Sequence, residues 1–326
     1  MTYKNTQYDR QSKLIGTAPA LFSNDPGNGV FRKKRRDFAL SKGINNLFDP
    51  IRHKAIQYFK ENRISWWGGY QPTNHMLSSQ IACVNHLFAI KDDPEAVLSL
   101  ANSLRPGLSF ARVIPIDIDK TPGYISFEVV SSKDWLNEGE PTRGANCTSV
   151  DALIIAEKDN GERWLIPIEW KYTEVYALHN NKSRQAGKGE PKDSNSVGET
   201  RLSRYSDLIT ASDYLKSMPE YLDSIYFYEP FYQLMRQTLW AEQIIKHSSE
   251  EWVKADHFLH IHVIPSENKD LLDMKYLTTG KGMEESWRGQ LQQDIYQIIT
   301  PEKFLSPIKE KENYTELIKY LSTRYW

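Results

Sequence analysis

Cysteine is scarce: Cys83 and Cys147 are the only two in 326 residues, and neither sits in a Cys-x-x-Cys or other zinc-ligating spacing. A disulfide scaffold is excluded, and the usage fits a reducing cytoplasm. Long apolar runs are missing as well, since no stretch approaches the ~20 residues that a membrane span requires. The opening segment MTYKNTQYDRQSKL lacks the apolar stretch of a secretory signal. These absences predict a cytoplasmic protein that does not enter a membrane. Charge of one sign is also lacking: the net charge is −1, without the strong basicity of a protein that coats nucleic acid. A chain whose acidic site offsets basic contacts elsewhere remains allowed. No internal repeat at solenoid or propeller spacing occurs.

What is present is an ordinary globular composition, 40% hydrophobic and 25% charged. No stretch reads as a linker, so residues 1–326 are expected to form a single domain. The aromatic fraction is 12%, with nine tryptophans, which suits a large core or base stacking. Residues 1–30 are polar and rich in turn formers, and are expected to be an arm with little regular structure. Arg32-Lys33-Lys34-Arg35-Arg36 follows, five basic residues in a row. A solvated face accounts for such a run, and so does a patch that contacts phosphates.

Helices are expected over 50–63, over 73–90 with Thr73 or Asn74 as N-cap, and from Pro94 onward. The middle of the chain changes character. Residues 123–132, 148–157 and 163–172 read as three strands. The last two are joined by Lys158-Asp159-Asn160-Gly161-Glu162, whose Asn-Gly pair marks an antiparallel hairpin. Residues 177–204 are nearly devoid of apolar side chains and read as a long mobile loop. Helices are expected at 204–217 and 230–247, a strand at 257–264, and helices near 284–298 and 313–324. The order is that of an α/β or α+β fold.

The hairpin carries the chemistry. Alternate residues of a strand share a face, so Glu169 and Lys171 lie together, opposite the apolar row Trp164, Ile166, Ile168 and Trp170. Asp151 joins them only if paired positions across the hairpin sum to an even number, which requires an odd-length loop or a bulge. Two carboxylates and a lysine on one face are costly to bury without purpose. A divalent cation relieves that cost: two carboxylates, with the Trp170 carbonyl as a further ligand, suit Mg²⁺. Such an ion activates water for attack on a phosphate, and Lys171 can orient that water or stabilise the developing charge. An exposed Glu-x-Lys pair on a strand is otherwise common and needs no function.

Ser149-Val150-Asp151 followed by Glu169-Trp170-Lys171 resembles the PD-(D/E)XK superfamily, the restriction-endonuclease-like nucleases. Residues 168–174 (IEWKYTE), Ser78-Ser79-Gln80 and residues 231–237 (FYQLMRQ) further resemble a group of bacterial putative restriction endonucleases, over roughly 75–265. The resemblance implies an αβββαβ core over about 73–265, a mixed sheet flanked by helices, with 266–326 as a C-terminal helical extension. It also implies Mg²⁺-dependent cleavage of DNA, with Mn²⁺ able to substitute, in restriction or defence. Val150 departs from the eponymous proline. Gln80 stands where the first core helix of the superfamily often supplies a glutamate, which favours one metal ion over two.

Gln233, Arg236 and Gln237 share one face of the 230–247 helix. They form a polar surface there or, in a nuclease, contact the phosphate backbone. His260 and His262 alternate on a strand with no third ligand in sight, and are expected to pack. Glu174 is expected to face away from the site unless the strand ends, and the facing of Glu128 is open. Two alternatives stand beside the nuclease: a catalytically silent nuclease fold that binds nucleic acid or a protein partner, and a carboxylate-pair hydrolase such as a glycosidase. A homodimer is compatible with double-strand cutting, though no motif calls for it.

Overall fold

The computed structural model of the protein describes residues 1–176, 197–218, 224–276 and 279–326. A seven-stranded mixed sheet lies at its centre, built from β3 (Arg112–Val113), β4 (Ser126–Val129), β5 (Val150–Glu157), β6 (Arg163–Trp170), β7 (His257–Phe258), β8 (His260–Val263) and β9 (Tyr296–Ile299). β3 and β4 both pair antiparallel with β5, which pairs antiparallel with β6. Beyond β6 the sheet turns parallel, through β7 and β8 to β9. Such a parallel step needs a long crossover, here carrying helices. A small separate hairpin, β1 (Val30–Phe31) and β2 (Lys34–Arg35), precedes the sheet.

The helices are α1 (Tyr3–Thr17), α2 (Arg52–Glu61), α3 (Ser79–Leu87), α4 (Pro94–Ser103), α5 (Val197–Thr210), α6 (Phe231–Lys246), α7 (Lys269–Leu272), α8 (Met283–Arg288), α9 (Pro301–Phe304) and α10 (Thr315–Arg324). One apolar cluster packs α2, α3, α4 and α10 against the sheet face that carries Ala152, Ile154, Ile166, Ile168 and Trp170. The other packs α6 and its neighbours against Leu153, Ile155, Leu165 and Tyr296. The succession α3–β4–β5–β6–α6–β8 gives the expected αβββαβ order, a restriction-endonuclease-like α+β core with added terminal helices.

Several local expectations are corrected. Residues 3–17 are helical, not an irregular arm. The buried stripe of α1 is Tyr3, Gln7 and Gln11, so apolar periodicity could not reveal it. Its glutamines dock by hydrogen bonds: Gln11 Nε2 donates to the Arg324 carbonyl at 2.8 Å, and Tyr172 Oη donates to Gln7 Oε1 at 2.8 Å. The next core helix starts at Ser79 with Ser78 as N-cap, six residues later than Thr73. Asn74 instead spends its amide on the Val30 and Leu40 carbonyls. The strand expected over 123–132 shrinks to Ser126–Val129, and that over 163–172 ends at Trp170. Helix α5 already begins at Val197, inside the stretch read as loop, and residues 177–196 of that stretch lie outside the described residues. The segment 284–298 divides into the short helix α8 and strand β9, because Tyr296–Ile299 adds to the parallel edge of β8. No helix among the described residues is long and apolar enough to cross a membrane.

Candidate active site

The register of the central hairpin decides the site. Ala152 pairs with Ile168 and Glu157 with Arg163, so paired positions sum to an even number and Asp151 stands across from Glu169. The loop that permits this is odd in length. Lys158 N–H donates to the Glu162 carbonyl at 3.0 Å and encloses Asp159-Asn160-Gly161, with Gly161 at φ 86°. That left-handed position is one a glycine adopts without strain.

Around this register the side chains are closely engaged. Glu169 is 2% exposed. Its Oε1 accepts from Lys171 Nζ at 2.5 Å and its Oε2 from Gln237 Nε2 at 2.5 Å. Lys171 Nζ also donates to Gln233 Oε1 at 2.5 Å. Asp151 Oδ2 accepts from the Trp170 backbone N–H at 2.7 Å, so the contact that Trp170 makes here is through its amide. Burial, then the nearby Glu169 and Glu128 carboxylates, raise the Asp151 pKa well above the ordinary carboxylate range. Burial works to lower the pKa of Lys171, but Glu169, Tyr176, Glu174 and Asp151 together outweigh it, so the pKa is raised and the ammonium stays protonated. A lysine held in that state serves as a fixed cation, not as a base.

Glu128 is the residue that sequence reasoning could not assign. It interrupts the β4–β5 ladder opposite Asp151, between the Phe127–Ala152 and Val129–Val150 pairs, at φ 50°. A left-handed glutamate costs of order 1 kcal/mol or more and persists only where its surroundings dictate it. Here Arg143 does so. Its guanidinium donates to the Phe127 carbonyl at 2.5 Å and the Glu128 carbonyl at 3.3 Å, while ion-pairing with buried Asp119 at 2.8 Å. The Glu128 side chain accepts from Gln80 Nε2 at 2.7 Å and from Ser149 Oγ at 3.0 Å. Burial, and the Glu169 charge in addition, push its pKa up. No period-2 pattern encodes this facing, because one left-handed residue re-aims the side chain.

The residues nominated from sequence thus divide. Asp151, Glu169 and Lys171 come together. Gln80 reaches Glu128 with its amide nitrogen, while its oxygen accepts from the Trp67 N–H at 2.7 Å. Gln233 and Gln237 face the sheet and hold Lys171 and Glu169. Arg236 turns to Thr148 at 3.1 Å and Glu138 at 3.5 Å. The polar face of α6 therefore supports the cluster from within and is not an outer surface. His260 and His262 are buried, the latter 2.8 Å from Tyr296 Oη. Because β6 ends at Trp170, Glu174 turns back into the site region, with its Oε2 accepting from Tyr172 N–H at 2.7 Å.

A cleft of about 290 Å³ opens here, lined by Asp151, Glu128, Glu174, Gln80 and Trp67 among others. Among the described residues, no group of three or more His, Cys, Asp or Glu side chains could hold a metal ion. The donor set nonetheless fits a hard cation held by few protein ligands. Asp151 and Glu128 present carboxylate oxygens to the cleft, Glu169 lies alongside, and their mutual repulsion is what a divalent charge relieves.

Residues 19–326 match the family described as restriction endonuclease associating with ARP. The chain belongs to this family. The match spans both apolar clusters, the hairpin and the C-terminal helices. Comparison with curated proteins gives no match, and neither does comparison with solved structures.

Proposed function

We propose that the protein is a metal-dependent endonuclease that hydrolyses phosphodiester bonds of DNA, with Asp151, Glu169 and Lys171 as its centre. The observation that carries this reading is the hairpin register. It sets Asp151 against Glu169, with Lys171 beside them, next to a cleft that Asp151 and a third acid, Glu128, line. The family's description adds the restriction-endonuclease context, and ARP as the associated component.

Asp151, Glu169 and the Trp170 carbonyl would hold the cation, Mg²⁺ or Mn²⁺, with Glu128 at the cleft wall. When bound, such an ion polarises a phosphate oxygen and acidifies a water. The chain's own contributions follow from its geometry. Lys171, kept protonated by Glu169 together with Tyr176, Glu174 and Asp151, supplies a positive charge that favours the extra negative charge of the phosphorane-like transition state. Gln237 and Gln233 fix Glu169 and Lys171 in one rotamer each, so little reorganisation is needed during the reaction. Gln80 acts as a positioning residue through Glu128. The Trp170 N–H holds the Asp151 carboxylate toward the strand end where the cleft opens. The protein is proposed to act as one domain in the cytoplasm.

The test is plasmid cleavage in Mg²⁺ or Mn²⁺, with Asp151→Asn and Lys171→Met alongside. Cutting that depends on the cation and is lost in both variants supports the enzyme. Binding of DNA without cutting would identify a silent nuclease fold. Hydrolysis of glycosides in place of DNA would point to the carboxylate-pair alternative, in which Lys171 has no role.

A further inference from the structure

Next to the acid cleft lies a second groove of about 440 Å³, and the two share Trp67, Leu77 and Glu174 in their walls. The rest of its lining is of opposite character, with Lys4, Arg32 and Arg36 beside Tyr8, Phe31, Phe38 and His75. The rings pack around His75, with centroids of Phe31, Phe38, Trp67 and Tyr8 at 4.5, 4.9, 5.7 and 6.3 Å. Burial, then Lys4 and Arg32, lower the pKa of His75 to about 4, so it stays neutral at neutral pH and adds no charge of its own.

Lys4 comes from α1, while Arg32 and Arg36 come from the β1–β2 hairpin and the residue after it; the hairpin turn is Arg32-Lys33, both left-handed at φ 50° and 63°. All five basic residues from 32 to 36 are exposed. Among the described residues none of them forms an ion pair, and Arg32 instead lies over the Phe31 and Trp67 rings at 5.4 and 5.8 Å. Trp67 sits in a tight turn closed by the Trp66–Gly69 bridge, and its backbone N–H is held by Gln80. Trp67, at the rim of the acid cleft, is 43% exposed, a large ring presented to solvent. A run of unpaired cations attracts a polyanion. Phosphate contact alone, however, needs no exposed rings. Rings interleaved with cations are what unpaired bases need, because stacking requires an open base face that a duplex does not offer.

We propose that this groove is a strand-binding lip: an unpaired stretch of nucleic acid leaves the acid cleft across Trp67, stacks a base on that ring, and lays its phosphates along Lys4, Arg32 and Arg36. The assignment rests on the nuclease reading for its direction toward the cleft, but strand binding can be measured without cleavage.

The experiment is a fluorescence-anisotropy titration of the full chain in EDTA, using a fluorescein-labelled mixed-sequence single strand and the duplex of the same sequence. The wild type is expected to bind the single strand more tightly than the duplex. Trp67→Ala should weaken single-strand binding roughly 5- to 150-fold, the range for loss of one stacked base, and Trp67→Phe should restore most of it. Arg32→Gln with Arg36→Gln should flatten the dependence of log Kd on log salt by about 1.4, the release expected of two phosphate contacts on a single strand. Circular dichroism and thermal melting matching the wild type show that the variants are folded. Equal or tighter binding of the duplex, or wild-type affinity in both sets of variants, overturns the proposal. Asp151→Asn separates the two readings: single-strand binding that survives in it, in a protein that never cuts with Mg²⁺ even when wild type, leaves the lip standing and removes the nuclease.

Discussion

The protein has two hairpins of opposite electrostatic design. At the open end of the β5–β6 hairpin the charged groups are buried or half-buried and each is tied to a partner: Glu169 to Lys171 and Gln237, Asp151 to the Trp170 amide. In the β1–β2 hairpin five cations project into solvent with no ion pair among the described residues. The contrast follows from what each set of charges is suited to do. Groups that hold a cation and a transition state must be preorganised, and the cost of burying them is met by donors built into the sheet and α6. Charges that gather a polyanion work at a distance and lose nothing by moving. The cleft between the hairpins, walled by Trp67, is where the two designs meet.

The largest expected effect comes from disturbing the buried hairpin. Asp151→Asn should lower the rate of Mg²⁺-dependent plasmid cleavage by roughly 10²-fold or more, the order seen when one preorganised electrostatic group is removed. Its stability should move the other way. Because the folded-state pKa of Asp151 is raised, the native protein binds the extra proton, and stability falls as pH rises from the ordinary carboxylate value toward the raised one. The neutral variant lacks that loss, so without cation its Tm should exceed the wild type's, by a margin that grows over that pH interval. Added Mg²⁺ should raise the Tm of the wild type and leave the variant unmoved; an unchanged wild-type Tm would count against the cation site.

Lys171→Met tests whether the pairing within the hairpin is what allows its burial. It strands Glu169 without a countercharge and should cost about 3–5 kcal/mol in urea denaturation. Combining it with Glu169→Gln should recover much of that loss without restoring cleavage. A similar cost, about 3–5 kcal/mol, is expected for Arg143→Met, which leaves buried Asp119 unpaired and frees the backbone that holds Glu128 in its left-handed conformation. In that variant, cleavage should fall even under conditions where the protein remains folded, and retention of full activity would show that Glu128 is dispensable.

Smaller effects are expected around the exposed hairpin. Lys33→Ala and Lys34→Ala should change stability by no more than about 0.5 kcal/mol. A larger loss would mean that the hairpin is structural. Asp25 anchors the segments flanking this hairpin, accepting from Gly27 and Ser41 N–H at 2.9 and 2.7 Å and from Asn45 Nδ2 at 2.9 Å. Burial acts to raise its pKa, but the bonds from Ser41, Asn45 and Gly27 prevail and hold it at about 2. That stabilisation is present above the unfolded value of 3.8 and is lost as pH falls toward 2. Asp25→Ala should cost about 1–3 kcal/mol at neutral pH and remove this part of the acid dependence, read from melts across that interval.

Much of the fold and the heart of the candidate site were legible in the sequence. The strands β5 and β6 announce themselves by apolar runs on either side of Asp-Asn-Gly, and the spacing of Glu169 and Lys171 places them on one face. The loop length also stated in advance what Asp151 needed in order to join them. These are local facts, set by the two-residue period of a strand and by the conformational freedom of one glycine. Helix α1 escaped notice because its buried stripe is glutamine and tyrosine, which become interior only when Tyr172 and Arg324 arrive to receive their hydrogen bonds. Strand β9 read as helix because its strand character comes from a free parallel edge on β8, far away in sequence. Glu128 depended on a guanidinium 15 residues later that fixes a left-handed backbone, and Gln233 and Gln237 on the packing of α6 over the hairpin. The sequence by itself therefore determined the candidate trio and the strands that carry it. Only the tertiary structure decided which partners hold that trio, that a third acid joins it, and that a basic, aromatic hairpin stands at its door, because each of those depends on contacts between segments that no local periodicity relates.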